Sequence, residues 1–168
     1  TVGHAEGPSA SCGIELQAAW PQQVISTWKD LRRALLAAPT DRFSVLQLSG
    51  QIFVEETLVL DKPVILAGEP IDAGGTLKEG ETPGELVGND RSLVLVDSKT
   101  ATVVLWRLSL TLSHKDSSVG KTSSCVEVVS GRPKLVDCTL KASREMVADV
   151  KSHGLWASGD TTVLMFGW

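Results

Sequence analysis

Tyrosine is missing from this chain of 168 residues, and phenylalanine occurs only three times. A sugar-binding platform of stacked outward aromatics is therefore not expected. Uninterrupted apolar runs such as Leu93 to Val96 and Val103 to Trp106 fall far short of the ~20 residues that a bilayer-spanning helix needs. No transmembrane segment is expected. Basic residues number 16 against 20 acidic ones, give a net charge of -4, and are scattered along the chain, so the clustered cations that bind phosphate backbones are lacking. That excludes nucleic acid as the expected partner. Cys12, Cys125 and Cys138 are too few and too widely spaced for a disulfide framework or a zinc site, and read as buried free thiols. Asn89 is the sole asparagine and precedes Asp90 and Arg91, so there is no N-glycosylation sequon. The chain opens at Thr1 rather than Met, which fits a processed organellar protein, of a plastid for instance, or an exported one, and leaves the compartment open.

What is present is a change of period. Residues 1 to 23, rich in glycine and small polar residues at their start, read as an irregular N-terminal arm. The domain proper runs from 24 to 168 and begins with a helix at about 27–38. Thr27 is placed to cap it, Trp28, Leu31 and Leu35 line one face, and Pro39 stops it. Beyond Pro39 the apolar period is two, and short strands alternate with Gly, Pro, Asp and Ser.

Those strands repeat. Val104, Trp106, Leu108, Leu110 and Leu112 share one parity, with Arg107, Ser109 and Thr111 on the other. Adding 30 gives Lys134, Val136, Cys138, Leu140 and Ala142, and adding 30 again gives Leu164, Phe166 and Trp168. Val64 and Leu66 lie 40 positions before Val104 and Trp106, the surplus being the Gly-rich stretch from Gly68 to Gly88. A partner strand precedes each: Leu58 and Leu60, Val94 and Val96, Val126 and Val128, then Trp156. A fixed period of this size is the mark of a solenoid, in which no unit can bury its apolar face alone. The expected fold is all-β, a single-stranded right-handed parallel β-helix with an N-terminal capping α-helix; the hand follows from the preference of parallel crossovers. Leu66, Trp106, Val136 and Phe166 would form one interior column, with Leu108, Cys138 and Trp168 beside it, and Trp106, Trp156 and Trp168 would all point inward. An antiparallel β-sandwich stays open as an alternative, although it predicts no constant offset between equivalent strands.

The residues also carry a resemblance. The helix from Ser26 to Pro39, then Val45-Leu46-Gln47-Leu48-Ser49-Gly50, Glu55-Glu56-Thr57-Leu58-Val59-Leu60 and Lys62-Pro63-Val64-Ile65-Leu66-Ala67-Gly68, is similar to the opening of pectin-lyase-like β-helix proteins. Leu135-Val136-Asp137-Cys138-Thr139-Leu140 resembles a rung motif of the same superfamily. The resemblance implies the fold and little about activity, because such coils host lyases, hydrolases, esterases and non-enzymatic modules alike.

The search for chemistry is largely negative. Pectin-cleaving members of that superfamily use two or three aspartates with a basic residue on neighbouring rungs, whereas here Asp137 shares its position with Arg107 and Gly167, and Asp97 and Asp160 complete no set. An exposed Arg107 to Asp137 pair is what remains. Gly120-Lys121-Thr122-Ser123 imitates a P-loop ending, but Lys115 stands where its first glycine should, and a strand follows instead of a helix. His4, His114 and His153 are isolated from one another, and no Gly-x-Ser-x-Gly elbow occurs. No catalytic residue, cofactor or metal is expected. The sequence thus favours a non-enzymatic scaffold or protein-binding module, a peripheral subunit of a larger assembly and compatible with one at a membrane. The N-terminal part of a carbohydrate-active or sugar-binding protein is the alternative. The expected interaction surface is the acidic insertion, with Glu79, Glu81 and Glu85, together with Phe166 and Trp168 at the last strand.

Overall fold

The computed structural model describes residues 22–70, 77, 79, 81–100, 102–114, 122–144, 151–157 and 164–166. Among these residues one helix, α1 (Trp28–Ala37), stands beside fourteen strands. The strands are β1 (Gln22–Ile25), β2 (Ser44–Leu48), β3 (Gln51–Phe53), β4 (Leu58–Leu60), β5 (Val64–Ala67), β6 (Glu85–Asn89) and β7 (Val94–Asp97). They continue as β8 (Val103–Trp106), β9 (Ser109–His114), β10 (Thr122–Ser130), β11 (Lys134–Val136), β12 (Thr139–Arg144), β13 (Lys151–Ala157) and β14 (Leu164–Phe166).

The fold is all-β with three parallel sheets, ordered β1-β2-β5-β8-β11-β14, β13-β10-β7-β4 and β12-β9-β6-β3. From β2 onward the chain visits the three sheets in rotation, so every third strand returns to the same sheet. All the described strand pairs are parallel, which removes the antiparallel sandwich. The expected offset of 30 is met where Lys134, Leu135 and Val136 lie beside Val104, Leu105 and Trp106, and again where they lie beside Leu164, Met165 and Phe166.

Three expectations need correction. Each repeat contains three strands and not two, because the single run from Val104 to Leu112 is broken at Arg107, whose φ of 46 is left-handed. Asp137, φ 49, breaks the next repeat at the same place. A left-handed residue turns the chain through a corner, and with it the alternation changes sides. Leu105 therefore faces the main core along with Leu108, Leu110 and Leu112, while Trp106 and Val104 face away from it. Second, β5 and β8 pair Val64 with Val103, one residue short of the expected offset, so Leu66 lies beside Leu105 and Ala67 beside Trp106. Third, the expected arm overlaps a strand: Gln22 and Gln23 open β1 and pair with Val45 and Leu46. The rest of the arm, residues 1–21, lies outside the described residues.

The main core runs through all three sheets, with Leu46, Leu66, Leu86, Leu105, Leu110, Val126 and Leu135 at 3% exposure or less. Burying each such side chain contributes roughly 1.5 to 3 kcal/mol. A second cluster, Val45, Ile65, Ala67, Val104, Trp106 and Val136, occupies the other face of the six-stranded sheet. That sheet is buried on both faces, and its strands β5 and β8 accordingly read as unbroken apolar runs. Helix α1 lies against the main core through Leu31, fully buried, with Trp28, Ala34 and Leu35 partly so. Thr27 caps it as expected, its Oγ1 accepting from the Asp30 amide at 3.2 Å. No basic residue stands in its last turn, and the Lys62 ammonium reaches across instead to donate to the carbonyls of Leu35 (3.2 Å) and Leu36 (3.0 Å). One chain-distant lysine thus ties the helix end to the turn between β4 and β5.

Candidate interaction surface

Among the described residues, four of the five exposed large apolar side chains lie on elements at one end of the three sheets. Val24 on β1, Leu36 on α1, Phe53 on β3 and Val59 on β4 are 48 to 74% exposed; the fifth such residue among the described ones, Val129, lies on β10. β1, β3 and β4 are edge strands of their three sheets, at the end where α1 docks. Each outward position follows from the local pattern. Ile52 and Leu58 are inward, so their chain neighbours Phe53 and Val59 point out. On α1, Leu31 and Leu35 take the core face, leaving Leu36 on the side facing water.

A shallow groove of about 770 Å³ opens beside the helix, lined by Thr27, Trp28, Lys29, Arg32, Arg33, Leu36 and Glu55. Its charges are ordered by short-range pairs. Arg32 meets Glu56 at 3.4 Å and Arg33 meets Asp30 at 3.6 Å, with all four side chains about half or more exposed. Exposed pairs of this kind are worth ~0 to 1 kcal/mol each, so they can exchange partners at little cost. The backbone under Glu55 is held by Arg91, whose Nη1 donates to its carbonyl at 2.6 Å. A basic row on α1 therefore meets an acidic corner between β3 and β4, and Leu36 is part of the same groove lining.

The second polar constellation is a corner ladder. Arg107 lies between Glu69 (3.4 Å) and Asp137 (3.7 Å), and its guanidinium sits 5.4 Å from the Trp106 ring centre. Below Arg107 the same position is taken by Gly68, whose amide donates to Trp106 O at 2.8 Å. The column thus reads Gly68, Arg107, Asp137, with one basic and one acidic side chain.

Of the residues expected to form the interaction surface, Glu79, Glu81 and Glu85 lie among the described residues with their side chains. Glu79 is exposed in a turn, and Glu81 is half-buried. Glu85 is not part of a loop: it opens β6, and its carboxylate accepts from Gln51 Nε2 (3.1 Å) and Thr111 Oγ1 (2.8 Å) on the strands to either side. The expected insertion from Gly68 to Gly88 is accordingly shorter, its base closed by the Gly84 amide on Gly68 O at 2.7 Å. Phe166 ends β14 in register with Val136; its side chain and Trp168 lie outside the described residues. Trp156 lies in register with Glu127, and its side chain, expected to point inward, lies outside the described residues.

Cys125 and Cys138 are free and buried, each donating to backbone carbonyls, Lys141 O and Leu105 O, at 3.2 Å. Desolvation pushes both thiols up to about 11, so they are poor nucleophiles. Among the described residues no three His, Cys, Asp or Glu side chains gather as a metal site, and no helix is long and apolar enough to cross a membrane. Set against known proteins, the chain matches no family model, no curated protein and no solved structure.

Proposed function

We propose that this chain is a right-handed parallel β-helix of the pectin-lyase-like kind its sequence resembles, serving as a non-enzymatic scaffold that binds a protein partner at its helix-capped end, as a peripheral subunit of a larger assembly. The rotation of successive strands through three parallel sheets supports the coil. The observation that carries the binding reading is the placement of Val24, Leu36, Phe53 and Val59, four of the five exposed large apolar side chains among the described residues, on elements at that end. Leu36 within its charged groove has the make-up of a protein-binding surface, an apolar residue with a polar rim. A polysaccharide-processing reading would draw on stacked carboxylates; Glu69 and Asp137 flank Arg107 here, both engaged by it, and the column of Gly68, Arg107 and Asp137 itself holds one acid.

The test is quantitative capture by the immobilised full chain, run beside Leu36→Glu and Phe53→Glu variants whose circular dichroism and melting match the parent. Both substitutions lie on exposed side chains, so folding should survive them. A bound protein lost tenfold or more in both variants supports the reading. Equal capture by all three chains, or product release from pectin or other polysaccharides, overturns it.

A further inference from the structure

The helix-capped end carries a balance of charge that narrows the kind of partner. Around exposed Leu36 (74%) stand three cations, Lys29, Arg32 and Arg33, and three carboxylates, Asp30, Glu55 and Glu56. They are not mixed at random. The cations share α1 with Asp30, while Glu55 and Glu56 occupy the corner that follows β3. A strongly acidic or strongly basic partner would meet as much repulsion as attraction here. A surface with separate positive and negative halves about an apolar centre is complementary to itself once turned by a two-fold axis, because the contact then places each half on its opposite.

Resting on the proposed protein-binding role, we infer that the occupant of this groove is a second copy of the same chain, docked head to head so that the α1 row of Lys29 and Arg33 of each copy faces the Glu55–Glu56 corner of the other, with Leu36 of the groove lining covered between them. Arg32 and Glu56, already paired within one chain and both more than half exposed, are free to exchange the intramolecular pair for the equivalent one across the axis. Leu36, exposed in the single chain, is covered in the pair. The contact is thereby isologous and closed, so it yields a dimer and not a fibre.

The experiment is sedimentation velocity of the full chain from about 1 to about 100 μM, the range in which contacts of modest size associate. Four chains are compared: the parent, Arg33→Glu, Glu55→Arg and the double reversal. The parent should pass from monomer to dimer across that range, each single reversal should weaken association at least tenfold, and the double reversal should restore it, since the charges are then exchanged on both sides of the axis. A parent that stays monomeric at the upper concentration overturns the inference, as does a dimer indifferent to both single reversals. Should the parent be monomeric while Leu36→Glu still abolishes capture of another protein, self-association falls and the protein-binding role stands. If the parent is monomeric and capture is unchanged, both fall.

Discussion

Arg107 and Asp137 stand at the same corner of successive repeats, both in left-handed backbone (φ 46 and 49), with Nε and Oδ2 3.7 Å apart. Left-handed backbone is costly for an arginine and milder for an aspartate. What holds Arg107 there is a ladder bond, its amide donating to Val136 O at 2.7 Å, together with the Glu69 and Asp137 carboxylates. Conformation and charge therefore have separable effects. Asp137→Asn keeps the tolerance for positive φ and loses only a partly exposed ion pair, so a loss of less than about 1 kcal/mol is expected. Asp137→Val places a β-branched residue at positive φ and should cost roughly 1 to 3 kcal/mol. Urea unfolding of the two variants at one pH checks this; equal midpoints would show that charge and not backbone governs the corner.

The same corner explains which parts of the fold could be read from the sequence. Parallel stacking at an offset of 30 was legible, because Lys134, Leu135 and Val136 repeat the pattern of Val104, Leu105 and Trp106 and pair with them. The side on which Trp106 faces was not. Period-two alternation assumes an unbroken strand, and neither Arg107 nor Asp137 is a glycine that would announce a turn. One hidden corner reverses the parity of the strand before it, β8 or β11. The exposed apolar side chains at the helix-capped end are likewise hidden: Leu36 and Phe53 look like members of the apolar pattern, and only the docking of α1 through Leu31 and the inward side chain of Ile52 show them to face water. The acidic residues near Glu85 stand out by composition, whereas the strand β6 absorbs Glu85 into bonds with Gln51 and Thr111.

Glycines at the base of the insertion mark where neighbouring backbones touch. A Cβ added at Gly84 would lie 2.5 Å from Leu48 O, and one at Gly68 2.3 Å from Arg107 O. Both obstacles are backbone atoms of adjoining segments, which cannot move without breaking the ladder. Gly84→Ala and Gly68→Ala should each destabilise by more than about 2 kcal/mol or fail to accumulate as soluble protein. Thermal melting compared with an alanine substitution at exposed Lys29 supplies the reference; two glycine variants melting with that reference would show the approach to be looser than described.

Thiol titration gives a pH dependence with a definite sign. Burial raises Cys125 and Cys138 from an ordinary value of 9.0 to about 11 in the folded chain. Between those values the unfolded chain has released its thiol protons and the folded chain has kept them, so raising the pH draws the equilibrium toward the unfolded state. Stability from these groups is complete below pH 9 and is lost as pH climbs toward 11. The double variant Cys125→Ala, Cys138→Ala should be less stable near neutrality, yet lose less on going from pH 8.5 to pH 10.5. Parallel urea series at the two pH values check it, and an identical loss in parent and variant would contradict the burial of the thiols.

Trp106 presents a competition between two penalties of similar size. Its indole Nε1 is buried and has no hydrogen-bond partner among the described residues, in a side chain only 7% exposed. A buried donor left unsatisfied costs ~1 to 3 kcal/mol. Trp106→Phe removes that donor and keeps an aromatic ring among Ile65, Val104 and Val136, but leaves unfilled the space of the lost five-membered ring. It also weakens the face over which Arg107 lies, a contact worth ~0.5 to 1 kcal/mol at a partly exposed site. The two sides nearly cancel, so Trp106→Phe should unfold within about 1 kcal/mol of the parent, whereas Trp106→Ala, which gives up the ring's burial as well, should cost about 3 to 5 kcal/mol. Trp106→Leu separates the contributions further, because it deletes the donor and the aromatic face while retaining a branched apolar filler. If Trp106→Phe proved as damaging as Trp106→Ala in chemical unfolding, the indole N–H would have to be bonded in solution, and the orphaned donor would be withdrawn as a feature of this fold.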